Sequence, residues 1–326
     1  MKDLIDTIPG WVLRVAQIAV AVGLMALLWN AADGPEAARA LASAHWGWLC
    51  LALIALSLQT VLSALRWRLT ARQLGISLGA GHAIAEYYLA QVVNQSLPGG
   101  MVGDAGRAVR ARGQAGLLAS GQAVVFERLA GQIAMFAVLA VGFIVTLAIP
   151  GGLDWPDWLA LPVALLLACG LALPFALLWL THLPGALGRA TAGFWKALHT
   201  ALATRQALPG QIGLSIGTAL CNLSAFALCA RAVGPTLDLA AITALVPLIL
   251  FTMLIPISIS GWGLREGAAA ALLPLAGTSA SDGLATSIAF GLVFIVAVLP
   301  GLAVLWRGAR RERILVGRTS AAPDRR

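Results

Sequence analysis

The chain has 326 residues, of which 60% are hydrophobic and 11% are charged, and its mean hydropathy is +0.87. A single water-soluble core cannot bury that much apolar surface, so the composition excludes a soluble globular protein and predicts an integral membrane protein. The formal net charge of +8 arises from basic residues in loops and in the tail, as is typical of cytoplasmic segments, and nucleic acid is not expected as a partner.

Six apolar stretches are each close to or above the roughly 20 residues that a helix needs to cross hydrocarbon. They are Trp11–Leu28, Trp46–Leu65, Gln122–Ile149, Leu159–Leu180, Gln211–Ala230 and Leu284–Trp306. Three further segments are shorter or interrupted: Ala80–Leu97, Leu239–Pro256 and Leu264–Leu275. They are interpreted as spans, half-helices or arms of re-entrant hairpins. The sequence therefore predicts an all-α polytopic membrane protein with six to eight transmembrane helices and two interrupted or re-entrant elements.

Basic residues are concentrated in alternate connections between these stretches, at Arg66–Arg72, Arg107–Arg112, Arg189–Arg205 and after Leu305. Because Lys and Arg favour the cytoplasmic side, both termini are expected in the cytoplasm, with the chain in the inner (plasma) membrane of a bacterial type of cell. Within the first of these connections, Arg66, Trp67 and Arg68 are expected to form an interfacial anchor. One transmembrane domain is expected over residues 1–306, followed by a basic cytoplasmic tail over 307–326.

The four cysteines lie inside apolar segments, and the four histidines are scattered at segment edges. Neither residue type shows the spacing of metal ligands, and no nucleophile–base motif or Walker motif is present. We therefore expect no metal site, no cofactor and no enzymatic activity.

Two glycine-rich stretches interrupt the apolar sequence and share one skeleton. They read "VNQSLPGGMVGDAGRAVRAR" from Val93 and "LIPISISGWGLREGAAAALL" from Leu254. In both, proline, glycine and arginine follow the spacing P-x4-G-x3-R, with a constant offset of 158 residues. The first copy lies on the predicted cytoplasmic side and the second follows a non-cytoplasmic loop. We therefore expect an inverted repeat, with halves at about residues 46–158 and 159–306.

Paired breaks of this kind are typical of substrate sites in transporters, because non-helical backbone is tolerated in a membrane only where protein or a wet cavity covers it. Half-helices that begin after the breaks would present free N–H groups, and Arg107 and Arg265 would add positive charge, which favours an anion such as a lipid phosphate. Alternatively, Arg107 pairs with Asp104 at i,i+3, and Arg265 is neutralised by Glu266 or by a carboxylate from another helix. The neighbouring residues Glu127 and Arg128 are equally consistent with a functional role and with an ion pair that holds the helices together.

Four segments of the chain resemble, in order and spacing, the lysylphosphatidylglycerol synthase transmembrane-region family of flippase-like proteins. They are "LRWRLTARQLG", "NQSLPGGMVGDAGRAVRAR", "VVFERLAGQ" and "IPISISGWGLREGAA", and the resemblance covers roughly Trp46 to Trp306. It implies a membrane region associated with lipid flipping. In the full-length multiple peptide resistance factor this region is joined to an aminoacyl-transferase domain. Synthase activity is not expected here, because the chain stops at Arg326 without room for such a domain.

Carried over residue by residue, the resemblance implies a lipid-headgroup site formed by polar, glycine and proline residues of these segments. They are Asn94, Pro98, Gly103, Asp104, Arg107, Glu127, Arg128, Pro256, Ser258, Gly261, Gly263, Arg265 and Glu266. The function expected is that of a lipid translocase that moves an anionic phospholipid or another phosphate-bearing lipid between leaflets. The alternatives are a non-transporting accessory subunit of a lipid or hopanoid pathway, and a membrane enzyme acting on a lipid-linked substrate. The expected partners are membrane lipid and either a second copy of the chain or a lipid-pathway enzyme.

Overall fold

The computed structural model describes residues 10–97, 100–149, 153–255, 257–258 and 260–306, and within these residues it contains helices and no β-strand. The α-helices are α1 (Gly10–Ala31), α2 (Gly34–Ala42), α3 (Trp46–Gln73), α4 (Ala80–Ser96), α5 (Val102–Ala148), α6 (Asp157–Leu180), α7 (Gly185–Leu202), α8 (Leu208–Val233), α9 (Leu239–Phe251), α10 (Leu264–Leu272) and α11 (Ala280–Val298). Short 3₁₀ turns, Thr252–Leu254 and Leu273–Ala276, follow α9 and α10. The all-α prediction is confirmed. Pro98, Pro256 and the tail over 307–326 lie outside the described residues.

Five of the described helices are long and apolar enough to cross a membrane. They are α3, α5, α6, α8 and the extended helix Ala280–Trp306 that contains α11. Gln17–Ala31 of α1 forms a sixth candidate span together with α2, although the two are bent by 94° relative to each other. The five or six spans correspond to the six apolar stretches of the sequence, and only the count of six falls within the predicted six to eight.

The three interrupted segments form helices that are too short to span a bilayer. Helices α4, α9 and α10 contain 17, 13 and 9 residues. At 1.5 Å per residue they extend about 26, 20 and 14 Å, less than the roughly 30 Å of hydrocarbon. Their lengths argue against full spans and leave the other two interpretations of the sequence, half-helices and arms of re-entrant hairpins.

Helix α4 and the first part of α5 form an antiparallel hairpin. Near its base Gln114 hydrogen-bonds to Ser77, farther along Arg110 pairs with Glu86 at 2.6 Å, and near its tip Gly103 packs on Ala90. Non-helical backbone at Gly116, with φ 82° and ψ 170°, separates residues 102–115 from the long helix 117–148. A positive φ of this size is readily adopted only by glycine. We call α4 with residues 102–115 the first hairpin, and α9 with α10 the second hairpin.

Two glycines of the last long helix show where the hairpins lie along it. Gly283, close to the start of α11, packs on Ala269 of the second hairpin, and neither this glycine nor Gly301 has room for a Cβ. Gly301, 18 residues farther on, packs on the backbone of Tyr88 in the first hairpin. Because the two hairpins contact opposite ends of one long helix, they approach each other from opposite sides of the molecule.

The tips of the two hairpins meet. Ser260, in the break of the second hairpin, donates a hydrogen bond from its hydroxyl to the Gln95 side chain in the last turn of α4. The order long helix, hairpin, long helix thus occurs twice, first from α3 to residue 148 and again from α8 to α11, with α6 and α7 between. This is the arrangement expected of an inverted repeat, and the half-repeat boundaries near 158 stay a prediction.

The apolar core lies between the long helices and the second hairpin. Phe226 of α8 is fully buried and contacts Phe290 of α11, with ring centroids 5.5 Å apart, and Leu56 of α3 and Leu245 of α9 are also buried. The outer surface is apolar as well, and Phe175 of α6 is 73% exposed. Such a surface is suited to lipid, so hydrophobic side chains do not distinguish the inside of this protein from its outside.

Replacing Gly103 by alanine is expected to destabilise the protein, because the added Cβ would meet the backbone carbonyl of Ala90. Overpacking of this kind costs about 1–3 kcal/mol, so the melting temperature in detergent should fall. Gly113→Ala is the matched control, since Gly113 lies in the same helical piece, is exposed and has open space around its Cβ position. Equal melting temperatures of the two variants would contradict the close contact between the arms.

Candidate functional site

A cluster of five charged side chains, four of them buried, lies where the first hairpin meets α3 and the long part of α5. The cluster consists of Arg66, Asp104, Arg107, Glu127 and Arg128, and we call it the arginine–carboxylate cluster. The Glu127 side chain is fully buried at its centre. Its Oε1 accepts a hydrogen bond from Nη2 of Arg66 at 2.8 Å, and its Oε2 accepts one from Nη2 of Arg107 at 2.9 Å. One carboxylate therefore binds two guanidinium groups from different helices.

Arg107 is completely buried and has ionic partners on two sides. Its Nε donates to Oδ1 of Asp104 at 2.9 Å, and its guanidinium lies 4.8 Å from the ring centroid of Trp67 and 4.5 Å from that of Tyr87. Two carboxylates and two aromatic faces compensate for the loss of hydration, although Nη1 has no hydrogen-bond partner among the described residues. The structure thus shows the i,i+3 ion pair that the sequence offered as the alternative interpretation of Arg107.

Asn94 joins the two arms of the first hairpin near its tip. Its Nδ2 donates to Oδ2 of Asp104 at 3.1 Å, and its Oδ1 accepts a hydrogen bond from the backbone N–H of Gly103 at 2.7 Å. The first turn of a helix has N–H groups without an intrahelical partner, and Asn94 satisfies one of them. This N–H group is therefore engaged within the protein.

A cavity of about 240 Å³ opens between the hairpin tips, α3, α5, α8 and the last long helix. Four members of the cluster line it, namely Arg66, Asp104, Glu127 and Arg128, whereas Arg107 lies behind the wall. Arg128 forms an ion pair with Asp104 and leaves 37% of its side chain exposed. With three guanidinium groups and two carboxylates, the cluster has a formal charge of +1. The excess positive charge is accessible at Arg128.

The second hairpin contains a separate buried pair formed by Arg265 and Glu266. Arg265 is 1% exposed, forms an ion pair with Glu266, and donates from its Nε to Oγ of Ser287 at 2.9 Å. Glu266 also accepts the backbone N–H of Gly263 at 2.7 Å. The pair is neutral and does not line the cavity. Neutralisation of Arg265 by Glu266 was one of the alternatives that the sequence left open.

The remaining nominated residues of the second hairpin shape its break. Gly261 and Gly263 have φ values of 79° and 87°, which L side chains rarely adopt, so both positions depend on glycine. Ser258 is buried, and its hydroxyl has no hydrogen-bond partner among the described residues. These three residues do not line the cavity, whereas Ser260 from the same break does.

The expectation that Arg66 and Trp67 anchor the chain at the membrane interface was wrong. Arg66 is 4% exposed and Trp67 is 1% exposed, because both side chains point into the cluster. Nη1 of Arg66 also donates to Oγ1 of Thr218 on α8 at 2.8 Å. A stripe of buried polar residues along α3 accompanies Arg66, and its spacing in the sequence marks one helix face. The other members of this stripe are Thr60, Ser63 and Thr70.

These features define a polytopic helical membrane protein with two opposed half-helix hairpins and a charged cavity between their tips. The chain matches the family model described as "Lysylphosphatidylglycerol synthase TM region" over residues 14–301, and it belongs to this family. The match confirms the resemblance seen in the sequence and extends it to α1. No curated protein matches the chain.

Replacing Arg265 by glutamine is expected to destabilise the protein strongly, because it leaves the Glu266 carboxylate buried without its cation. Breaking a buried pair in this way costs about 3–5 kcal/mol. The double variant Arg265→Gln with Glu266→Gln removes both charges and should recover much of the lost melting temperature.

The matched control is Arg110→Gln, which breaks the partly exposed pair with Glu86 and should cost less than about 1 kcal/mol. Thermal unfolding of the wild type and the three variants in the same detergent compares these effects. An Arg265→Gln protein that melts like the wild type, or a double variant that melts no higher than the single one, would contradict the ion-pair assignment.

Proposed function

We propose that the protein binds the phosphate-bearing headgroup of an anionic lipid in the cavity between the hairpin tips and moves that lipid between the leaflets of the inner membrane. Its family, a membrane region of the lysylphosphatidylglycerol synthase and flippase type, supports this function. The observation that carries the proposal is the position of Arg66 and Arg128 in the wall of a cavity whose charged cluster has a net positive charge.

Translocation requires that a charged headgroup cross a region where an unpaired charge is very costly. A guanidinium presents several N–H donors in a planar fork that fits phosphate oxygens. In this cavity Arg66 is held in place by Glu127 and Thr218, while Arg128 is partly free. Arg128 is therefore the residue best placed to make a new contact with a phosphate.

The hairpin tips supply an element that could move. Ser260 and Gln95 connect them by a side-chain hydrogen bond, and the nearest described residues around Ser260, namely Ser258 and Gly261, are not helical. Opposed hairpins that separate on one side at a time would expose the cavity first to one leaflet and then to the other, as in transporters built from inverted repeats.

The structure gives less support to an enzyme. Asp104, Glu127 and Glu266 are the acidic candidates, and each of these carboxylates forms an ion pair with at least one arginine. Such contacts occupy the oxygens that a general acid or a nucleophile would use. These carboxylates are better suited to positioning the arginines than to chemistry.

Replacing Arg128 by glutamine is expected to weaken binding of a lipid phosphate by about tenfold or more, which corresponds to the loss of one charge-assisted hydrogen bond. Asp104 keeps Asn94 and Arg107 as partners, so the melting temperature should change little. Transfer of a fluorescent anionic lipid between leaflets of proteoliposomes provides the measurement. The control, Arg110→Gln, removes an arginine outside the cavity. An Arg128→Gln protein that melts and transfers lipid like the wild type would overturn the site assignment.

The expected topology is testable with single cysteines in a background without the four native ones. Cysteines at Arg189 and in the tail after Trp306 should react with a membrane-impermeant maleimide only when the cytoplasmic face is accessible. A cysteine at Asp157 should react from the opposite face, because the Pro150–Trp158 connection lacks basic residues. Labelling of the Asp157 position from the cytoplasmic side would contradict cytoplasmic termini.

A further inference from the structure

The uncharged part of the cavity wall is rich in carboxamide side chains. Six of them line the cavity: Gln59, Gln91, Asn94, Gln95, Gln132 and Asn222. Four are engaged within the protein, Gln59 with Ser63, Gln91 with Thr60, Asn94 with Asp104 and Gln95 with Ser260. Among the described residues, Gln132 and Asn222 make no side-chain hydrogen bond, although both are half-buried.

A carboxamide offers two N–H donors and one carbonyl acceptor, and a hydroxyl group is itself both a donor and an acceptor. Two unpaired carboxamides on facing helices, Gln132 on α5 and Asn222 on α8, are therefore complementary to vicinal hydroxyl groups. They contribute no charge. A headgroup that reaches from the arginines into this part of the cavity would satisfy amides that otherwise need water.

The charged part of the wall is unfavourable for an ammonium group. The two acidic residues that line the cavity are Asp104 and Glu127. Each of their four oxygens already accepts a hydrogen bond from an arginine, from Asn94 or from Tyr87. An added ammonium group would find these carboxylates neutralised and would lie near a cluster with a formal charge of +1. In a medium of low dielectric constant that repulsion is weakly screened.

We propose that the cavity selects lipids whose headgroup combines a phosphodiester with free hydroxyl groups, such as glycerol or a sugar, and that it discriminates against headgroups with an ammonium group. This inference rests on the proposed function and names the substrate class of the same site. In the bound arrangement that we propose, Arg66 and Arg128 contact the phosphodiester, and Gln132 and Asn222 contact the hydroxyl groups.

Three lipids with the same fluorescent acyl chains separate these requirements in proteoliposomes. Phosphatidylglycerol has one negative charge and two hydroxyl groups, phosphatidylethanol has the same charge without hydroxyl groups, and phosphatidylethanolamine adds an ammonium group. The wild-type protein should transfer phosphatidylglycerol about five- to tenfold faster than phosphatidylethanol, the effect of one or two buried hydrogen bonds. Phosphatidylethanolamine should be transferred slowest.

The variants Gln132→Leu and Asn222→Leu should each lower the ratio of phosphatidylglycerol transfer to phosphatidylethanol transfer toward one. Gln73→Leu, at the end of α3 and outside the cavity, is the matched control and should retain the full preference. Melting temperatures verify that every variant is folded, and the two cavity variants test the inference independently of each other.

The outcomes distinguish this inference from the function on which it rests. Equal transfer of the three lipids would overturn the headgroup selectivity and leave lipid translocation intact. Faster transfer of phosphatidylethanolamine would overturn the charge argument. A protein that transfers none of them would remove the proposed function itself. Loss of phosphatidylethanol transfer in Gln132→Leu would show that the amide supports the cavity and does not bind hydroxyl groups.

Discussion

The structure depends on one constraint, namely that a charge or a backbone polar group in a low-dielectric region must have a partner. The two half-helix hairpins end in non-helical backbone, which would be too costly against lipid. Their tips instead meet each other through Ser260 and Gln95, and the long helices enclose them. Because the two breaks cover each other, a space lined by polar and apolar side chains remains between them. The cavity is thus a consequence of the way in which the polar groups of the two breaks find partners within the protein.

The same constraint explains why the arginines of the hairpins occur with carboxylates. Arg107 and Arg265 lie near the start of the returning arm of each hairpin and are completely buried. Each contacts a nearby acid and a side chain about 20 residues farther on, Glu127 for Arg107 and Ser287 for Arg265. These bonds fasten each hairpin to the following long helix. The repeated arginines accordingly serve to hold the hairpins in place.

Much of the fold follows from local patterns, whereas the site depends on tertiary contacts. Hydrophobic runs predicted the spans, and the pairs Arg107 with Asp104 and Arg265 with Glu266 were foreseeable because their members are three and one residue apart. The bond between Arg66 and Glu127 joins residues 61 positions apart, which single-sequence spacing does not reveal. Beside Trp67 and Arg68, Arg66 also has the composition of an interfacial anchor, so the local signal pointed to the wrong environment.

The two hairpins are alike in architecture and unlike in charge. The second hairpin has a neutral pair, while the first contributes to a cluster with one excess positive charge. Three side chains that line the cavity still have hydrogen-bonding groups available, namely Arg128, Gln132 and Asn222. They lie on the long helices and outside both repeated stretches. The repeated stretches also contribute Asn94, Asp104 and Ser260 to the cavity wall, but each of these side chains already has a partner within the protein. Under the proposed function, the choice of lipid would therefore depend on the side chains of the surrounding long helices that still have free hydrogen-bonding groups, and the hairpins would hold the cavity in place.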